Sequence, residues 1–162
     1  MEQKTNGDME VPMRNYVAGM NKVPISRDRR RTPEAELTEK ENAQLLSGVG
    51  AAGWLSRQLR RDLLYQTGCL QRCRGSPCVG DLVRLNQTVA DEKRGSDFRL
   101  RFPHQLEPYD ALIVTISDSG HANGTPENDD IMRYRSVGGY FALVVNKDIL
   151  QGQKAHCAFL DA

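Results

Sequence analysis

The sequence lacks both an excess of charge and a long apolar run. Its 162 residues include 22 Lys and Arg against 21 Asp and Glu, so the net charge is only +1. This balance argues against a module that binds nucleic acid through a strongly basic surface. No apolar run has the length of a signal peptide, and none reaches the roughly 18 residues of a membrane-spanning helix. We therefore predict an intracellular protein, cytoplasmic or nuclear, that has no membrane partner.

Cysteine is also scarce, and its positions fit no familiar pattern. The four cysteines are Cys69, Cys73, Cys78 and Cys157. Because no export signal precedes them, reduced thiols are expected rather than disulfides. Cys69 and Cys73, at positions i and i+4, could share a helix face and bind zinc together with Cys78 and a histidine. Their spacing matches none of the usual paired zinc motifs, so small and partly buried thiols are the alternative interpretation.

Positive charge is concentrated in the first half of the chain. The arginine clusters there are Arg27, Arg29, Arg30 and Arg31, then Arg57, Arg60 and Arg61, and finally Arg72 and Arg74. Such clusters can bind phosphates, or they can be solvated helix faces and parts of a flexible arm. The second cluster lies among predicted helices, and its members Arg57, Arg60 and Arg61 are the candidate nucleic-acid-binding residues.

The chain is expected to begin with an arm and to continue into helices. Residues 1–37 are polar with little periodicity, and we predict a largely extended arm or linker. Thr38 and Glu41 then form a capping-box pattern, in which each side chain can bond the backbone N–H of the other residue. A helix is therefore predicted to begin at Thr38.

Further helical patterns extend the helical segment over residues 38–95. They predict a second helix over residues 62–73 and a third over residues 77–94. The first helix contains glycines that leave its surface free of side chains, so that another element can approach closely. These glycines are Gly48, Gly50 and Gly53.

From Gly95 onward the apolar period becomes that of strands. Phe98, Leu100 and Phe102 alternate with arginines, which predicts a half-buried strand. Three further strands are predicted over residues 110–118, 139–146 and 155–160. Short connections between the last strands favour an antiparallel meander. The chain is thus predicted to have an α+β fold, with an antiparallel sheet of three to four strands in residues 96–162.

The predicted strand over residues 110–118 ends on a carboxylate. Its apolar run, Ala-Leu-Ile-Val-Thr-Ile-Ser, is followed by Asp118 and then by a polar loop that contains glycine. A strand that presents a carboxylate at its exposed end is a common way to build a metal or acid site, so Asp118 is the candidate catalytic and metal-binding residue. Alternatively, Asp118 is structural and accepts hydrogen bonds from the backbone N–H of Ser119 or Gly120.

Two short motifs stand out in the helical segment. The first consists of Ser47, Gly50, Trp54 and Leu55, and the second consists of Arg60, Asp62 and Leu63. They resemble the segments Tyr-Arg-Ser-x-x-Gly-x-Leu-x-Tyr/Trp-Leu and Thr-Arg-Pro-Asp-Leu, which follow the polymerase palm in the Pol polyprotein of Ty1/copia-type retrotransposons. The family's Tyr-Arg is Leu45-Leu46 in this chain, and its Pro is Arg61.

The resemblance continues toward the ribonuclease H (RNase H) region of that family. Asp81-Leu82 and Asn86 resemble the helix that leads to this region, and Phe98–Phe102 resembles its closing strand. Residues 117–122 line up with Ser-Asp-Ala-Asp-Trp-Ala in the first RNase H strand, and residues 135–140 line up with Arg-Ser-Thr-Ser-Gly-Tyr. The resemblance implies the end of the reverse transcriptase, a thumb- or connection-like helical segment and a truncated RNase H fold over residues 96–162.

The resemblance also implies a role for Asp118. RNase H cleavage of an RNA–DNA hybrid needs several carboxylates that together hold two Mg²⁺ ions, and Asp118 is the first of that set. The family's other carboxylates, a Glu on a helix and an Asp on the next strand, would lie beyond Ala162. His121 stands where the family has Trp. The acids that follow Asp118 here occupy no position that the family uses, and they are Glu127, Asp129, Asp130, Asp148 and Asp161.

Three hypotheses about function remain open at this point. The first is a truncated and diverged fragment of a copia-type Pol polyprotein without independent catalysis. The second is an active, Mg²⁺-dependent nuclease that cleaves RNA–DNA hybrids through Asp118. The third is a small nucleic-acid-binding or interaction module that uses its arginine-bearing helices. The expected partners are an RNA–DNA hybrid or DNA, and exposed sheet edges predict self-association.

Overall fold

The computed structural model describes residues 1–120 and 137–161 and has a mixed α+β fold. The described α-helices are α1 (Arg14–Gly19), α2 (Arg27–Arg30), α3 (Glu39–Gln58), α4 (Leu64–Arg72) and α5 (Val79–Arg94). The described strands are β1 (Glu2–Gln3), β2 (Met9–Pro12), β3 (Arg99–Phe102), β4 (Ala111–Gly120), β5 (Val137–Asn146) and β6 (Cys157–Asp161). Short 3-10 helices cover Arg61–Leu63, Cys73–Gly75, Pro108–Asp110 and Lys147–Gln151. The predicted α+β class is thus confirmed. None of the described helices is both long enough and apolar enough to cross a membrane.

The chain divides into two compact units. Val11–Arg99 forms a helical unit, and Met1–Glu10 together with Leu100–Ala162 forms a β unit. The divisions close to residues 38 and 95 that the sequence predicts stay a prediction. The predicted arm therefore contributes to both units, because its first residues join the β unit and the remainder joins the helical unit.

Part of the predicted extended arm is helical, since α1 and α2 both lie within it. The apolar side chains of this segment are buried, and they are Val17, Met20 and Val23. The side-chain amide of Asn86 on α5 donates to the Val23 carbonyl at 2.8 Å and accepts from the Val23 N–H at 2.7 Å. Contacts between residues this far apart in sequence produce no local periodicity of apolar residues, so these helices could not be predicted from the sequence.

The first long helix begins where the capping-box pattern predicts. The Thr38 hydroxyl accepts a hydrogen bond from the Glu41 N–H at 3.3 Å, and the Glu41 carboxylate accepts one from the Thr38 N–H at 2.9 Å. The Arg29 guanidinium also donates to both carboxylate oxygens of Glu41, at 2.6 and 3.2 Å. Bonding by Arg29 and Thr38 lowers the pKa of Glu41 to about 2. The start of α3 is therefore tied to the arm by an ion pair.

The core of the helical unit lies between α3, α4 and α5. The buried side chains of these helices and of the 3-10 helix before α4 include Leu45, Val49, Leu55, Leu63, Leu70, Val79, Leu82, Leu85 and Val89. Two glycines of α3 permit the close approach that the sequence predicts. A Cβ at Gly48 would overlap Leu85, and one at Gly53 would overlap Gln71, whereas Gly50 faces open space.

The last three strands form the antiparallel meander that the sequence predicts. The sheet has the order β4-β5-β6, and β4 pairs with β5 from Ala111 opposite Asn146 to Gly120 opposite Val137. β6 pairs along the other side of β5, with an irregularity between Ala142 and Leu143. Because β4 and β6 are the outer strands, each has an edge that is unpaired among the described strands of this sheet. The predicted self-association through such edges stays a prediction.

The strand predicted from Phe98–Phe102 belongs to a different sheet from the one expected. β3 lies in a second sheet of order β1-β2-β3, so the C-terminal sheet has three described strands, within the three to four that the sequence predicts. The buried carboxylate of Asp8, which precedes β2, links this segment to β3 and to the residues that follow it. It accepts hydrogen bonds from Arg101 Nε at 2.7 Å, from the His104 N–H at 3.0 Å and from Asn6 Nδ2 at 3.0 Å. Strand periodicity identifies β3 but does not say which strand it pairs with.

Candidate functional site

Asp118 lies near the end of β4, with an exposed side chain. Since side chains alternate along a strand, Asp118 shares one face of the sheet with Val114 and Ile116. Residues opposite these positions in β5 are Leu143, Phe141 and, opposite Asp118 itself, Gly139. This apolar face therefore ends on a carboxylate beside a residue that has no side chain.

The chain does not break directly after Asp118, although the sequence predicts a break there. β4 continues through Ser119 and Gly120, which lie opposite Gly138 and Val137. The alternative in which Asp118 caps a loop that begins directly after it is therefore not the observed local arrangement, because these two residues still belong to the strand pair.

Asp118 is not part of a cluster of metal-binding side chains among the described residues. Within residues 1–120 and 137–161, no group of three or more His, Cys, Asp and Glu side chains lies close enough to hold a metal ion. A pair of Mg²⁺ ions needs several converging carboxylates, and one exposed carboxylate does not fit that requirement. His121, Glu127, Asp129 and Asp130 lie outside the described residues.

Arg60 is buried at the end of α3, with 7% of its surface exposed. Its guanidinium donates to both carboxylate oxygens of Asp62, at 2.9 and 2.7 Å. It also donates to the carbonyls of Asp91 and Glu92, at 3.2 and 3.3 Å. The hydrogen bonds from Arg60 hold the pKa of Asp62 below its usual value. Arg60 therefore joins the end of α3 to the end of α5, and its guanidinium binds groups inside the helical unit.

The three candidate arginines do not share one exposed surface. Arg57 is exposed on α3, Arg60 is buried, and Arg61 is half-buried in the 3-10 helix that precedes α4. A shallow depression of about 420 Å³ lies beside Arg60. It is lined by Arg60, Asp62, Leu63, Asp91, Arg94 and Gly95. Because its two arginines face two aspartates, this depression has no clear preference for phosphate.

The three clustered cysteines are small and partly buried, as the simpler interpretation expects. The Cys73 thiol donates to the Cys69 carbonyl at 3.3 Å, and the Cys78 thiol donates to an Asp81 carboxylate oxygen at 3.5 Å. Burial raises the pKa of Cys73 to about 11, with a further contribution from Asp81. Since metals bind thiolates, this arrangement does not favour zinc, and the described residues contain no zinc-binding group.

The resemblance to copia-type Pol rests on the residues of this chain. No known protein family, curated protein or solved structure matches it. Several residues of the two helical-segment motifs make structural contacts. Leu55 and Leu63 are buried in the helical core, and Arg60 pairs with Asp62 across a single intervening residue.

One exposed surface was not singled out by the sequence reasoning. Leu46, Gly50, Trp54 and Arg57 are all exposed and follow one another at helical spacing along α3, and we call them the Trp54 surface. Trp54 is 47% exposed and contacts the ring of Tyr16 on α1, with the ring centroids 4.7 Å apart. The helical spacing of these residues is the signal in the sequence that points to this surface.

Proposed function

We propose that this chain is a diverged piece of a copia-type Pol polyprotein and does not cleave nucleic acid by itself. It would correspond to the region between polymerase and RNase H together with the first RNase H strands. The observation that carries this proposal is the antiparallel β4-β5-β6 meander with Asp118 at the exposed end of its first strand. That is the arrangement implied by the resemblance for a metal-binding carboxylate.

The Arg60–Asp62 pair also supports the proposal. The family motif places an arginine and an aspartate two positions apart, and here those two residues form a two-pronged ion pair. The pair gives both residue types a physical role at that spacing, since neither lysine nor asparagine would make the same contacts. The replacement of the motif proline by Arg61 leaves the pair intact.

Asp118 would be a metal ligand only together with other carboxylates. When bound, Mg²⁺ activates water and stabilises the leaving oxygen in hybrid cleavage. The part of this chain that the structure describes contributes one oxygen donor group at the end of β4. Asp118 would therefore correspond to the family's first metal-binding carboxylate by descent, and the chain alone would carry out no catalytic step.

Two measurements test this proposal. The nucleotide sequence around the coding region is expected to encode a paired-aspartate polymerase motif upstream and the Glu-bearing helix and Asp-bearing strand downstream. The purified chain is expected to leave a labelled RNA–DNA hybrid uncut in the presence of Mg²⁺. Flanking frames without any Pol sequence would contradict the assignment. Cleavage that disappears in Asp118→Asn would instead establish the active nuclease.

The Trp54 surface favours a second candidate function, the binding of single-stranded nucleic acid. An exposed indole can stack on a base, and Arg57 lies one helical turn away, where it can contact a phosphate. Gly50 leaves open space beside the indole, in which an incoming base would meet no side chain. This surface has one arginine, so we expect modest affinity with a small dependence on salt.

We expect Trp54→Ala to weaken binding of a fluorescein-labelled single-stranded DNA about tenfold, because stacking contributes about 1–3 kcal/mol per base. Fluorescence anisotropy at two salt concentrations measures this. Tyr65→Ala is the matched control, since Tyr65 is an exposed aromatic residue on α4 that lies outside the Trp54 surface. Equal affinities of all three proteins would rule out the Trp54 surface as the binding site.

A further inference from the structure

A short helix lies against the Trp54 surface. We call α1 (Arg14–Gly19) the strap. Its Tyr16 ring contacts the Trp54 indole, and the Tyr16 hydroxyl donates to the Ala51 carbonyl on α3 at 3.2 Å. Val17 of the strap is buried, with 2% of its surface exposed, and Arg14 pairs with Asp97. The strap itself is therefore held by one buried residue and a few polar contacts, while buried Met20 and Val23 anchor the chain that follows it, and so short an element can open locally.

A fully buried acid lies in the stretch of chain along which the strap packs, between Asn86, which bonds Val23 just after the strap, and Asp97, which pairs with Arg14. Glu92 on α5 is 0% exposed, and neither of its carboxylate oxygens has a hydrogen-bond partner in the part of the chain that the structure describes. The charged and titratable groups that act on it are Tyr16 from the strap, Arg60 from the end of α3 and Asp91 on its own helix. The Arg60 guanidinium bonds Asp62 and two carbonyls, so it does not bond the Glu92 carboxylate.

In this position the protonated and the ionised forms of the carboxyl group differ greatly in free energy. As a neutral acid it is tolerated at the cost of unmade hydrogen bonds, whereas as a carboxylate it is an uncompensated charge away from water. The strap is the short element that packs on this stretch of α5, whereas α3 and α4 pack on α5 as part of the helical core, so movement of the strap is the smallest change that could bring water to the group. We propose that Glu92 is a proton-operated latch, which keeps the strap attached while the carboxyl group is protonated and releases it when the proton is lost to solvent.

The latch would operate near neutral pH. Burial raises the pKa of Glu92 to about 7, with Arg60 opposing the shift and Asp91 adding to it. The ordinary value is 4.5, so the folded state binds this proton more tightly than the unfolded chain does. Attachment of the strap is therefore strongest below about pH 4.5 and weakens as the pH rises through about 7.

Release of the strap would remove Tyr16 from Trp54. The Trp54 surface would then present the whole indole, so the latch would regulate the surface assigned above to nucleic-acid binding. This regulatory meaning rests on that second candidate function. The latch itself does not, because it depends only on Glu92, the strap and their contacts.

The chain contains a single tryptophan, which reports directly on the strap. Acrylamide quenching of Trp54 fluorescence is measured from about pH 5 to about pH 9, below the range in which tyrosine ionises. Quenching is expected to increase as the pH rises from about 5 to about 7 and to level off above it, while the helical circular dichroism changes little. In Glu92→Gln, quenching is expected to stay at its low-pH level throughout, and Tyr16→Ala is expected to give high quenching at every pH.

Asp91→Asn is the matched control, since it removes the neighbouring carboxylate on the same helix. It should keep the transition and move its midpoint to slightly lower pH, because one negative charge near Glu92 is gone. Quenching that does not change with pH in the wild type would overturn the latch, as would a transition that persists in both Glu92→Gln and Glu92→Leu. Loss of helical signal together with quenching would indicate general unfolding and would also overturn it. None of these readouts involves nucleic acid, so the binding proposal is tested separately.

Discussion

At the scale of single residues, three carboxylates of this chain lie in three different environments. Asp8 is buried and accepts hydrogen bonds from Arg101, His104 and Asn6. Glu92 is buried and accepts none among the described residues, whereas Asp118 is exposed at the end of a strand. Hydrogen bonds from His104 hold the pKa of Asp8 well below its ordinary value, with Arg101 and Asn6 contributing, while burial raises that of Glu92. The surroundings of each carboxylate therefore decide how strongly it holds its proton and whether its oxygens are open to solvent.

Asp8→Asn is expected to loosen the N-terminal part of the β unit at neutral pH. The amide cannot accept the same set of charged hydrogen bonds, so the His104 N–H should lose protection. Because the pKa of Asp8 is lowered in the folded state, its contribution is present above the ordinary value of 3.8 and is lost as the pH falls below it. Hydrogen exchange at the His104 amide, recorded against pH, measures both effects.

Asp28→Asn is the control for Asp8, since the Asp28 side chain is 92% exposed and makes one long ion pair. It should leave the exchange of the His104 amide unchanged at every pH. Unaltered protection in Asp8→Asn would show that the carboxylate does not fasten this sheet.

At the scale of elements, helix starts were predicted better than the contacts of the helices. The Thr38 capping box is a local pattern, so its bonds follow from spacing alone. α5 begins instead at Val79, and its first turn is capped by the Asp81 carboxylate, which accepts from the Cys78 N–H at 3.0 Å. The sequence predicted a start at residue 77, so the observed start lies two residues later.

Thr38→Ala is expected to lower the free energy of unfolding of the helical unit by about 1 kcal/mol, because one helix-capping hydrogen bond is lost. Urea denaturation followed by circular dichroism measures this. Thr38→Ser keeps the hydroxyl and should retain most of the stability. If the serine variant is as destabilised as the alanine variant, the loss comes from the methyl group and not from the cap.

At the scale of the whole molecule, the order of elements was predicted and the pairing of distant ones was not. The meander β4-β5-β6 was anticipated because neighbouring strands usually pair, whereas β3 joins β1 and β2, which lie about 90 residues away. Asp118 was placed at the end of a strand because the apolar run before it is continuous. The burial of Arg60 was not anticipated, because an arginine beside an aspartate looks the same in sequence whether it faces water or a helix end.

The sequence by itself determined the helix cap at Thr38, the helical character of α3 and α5, the strands β3 to β6 and the position of Asp118, since all of these depend on residues within a few positions of one another. The tertiary structure alone decided that Arg60 is buried, that Asp8 holds a sheet together and that the Glu92 carboxyl group is buried with no hydrogen-bond partner among the described residues. These features arise from contacts between distant segments, and the free energy of a charged side chain depends on the water, charges and hydrogen-bond donors that folding brings to it.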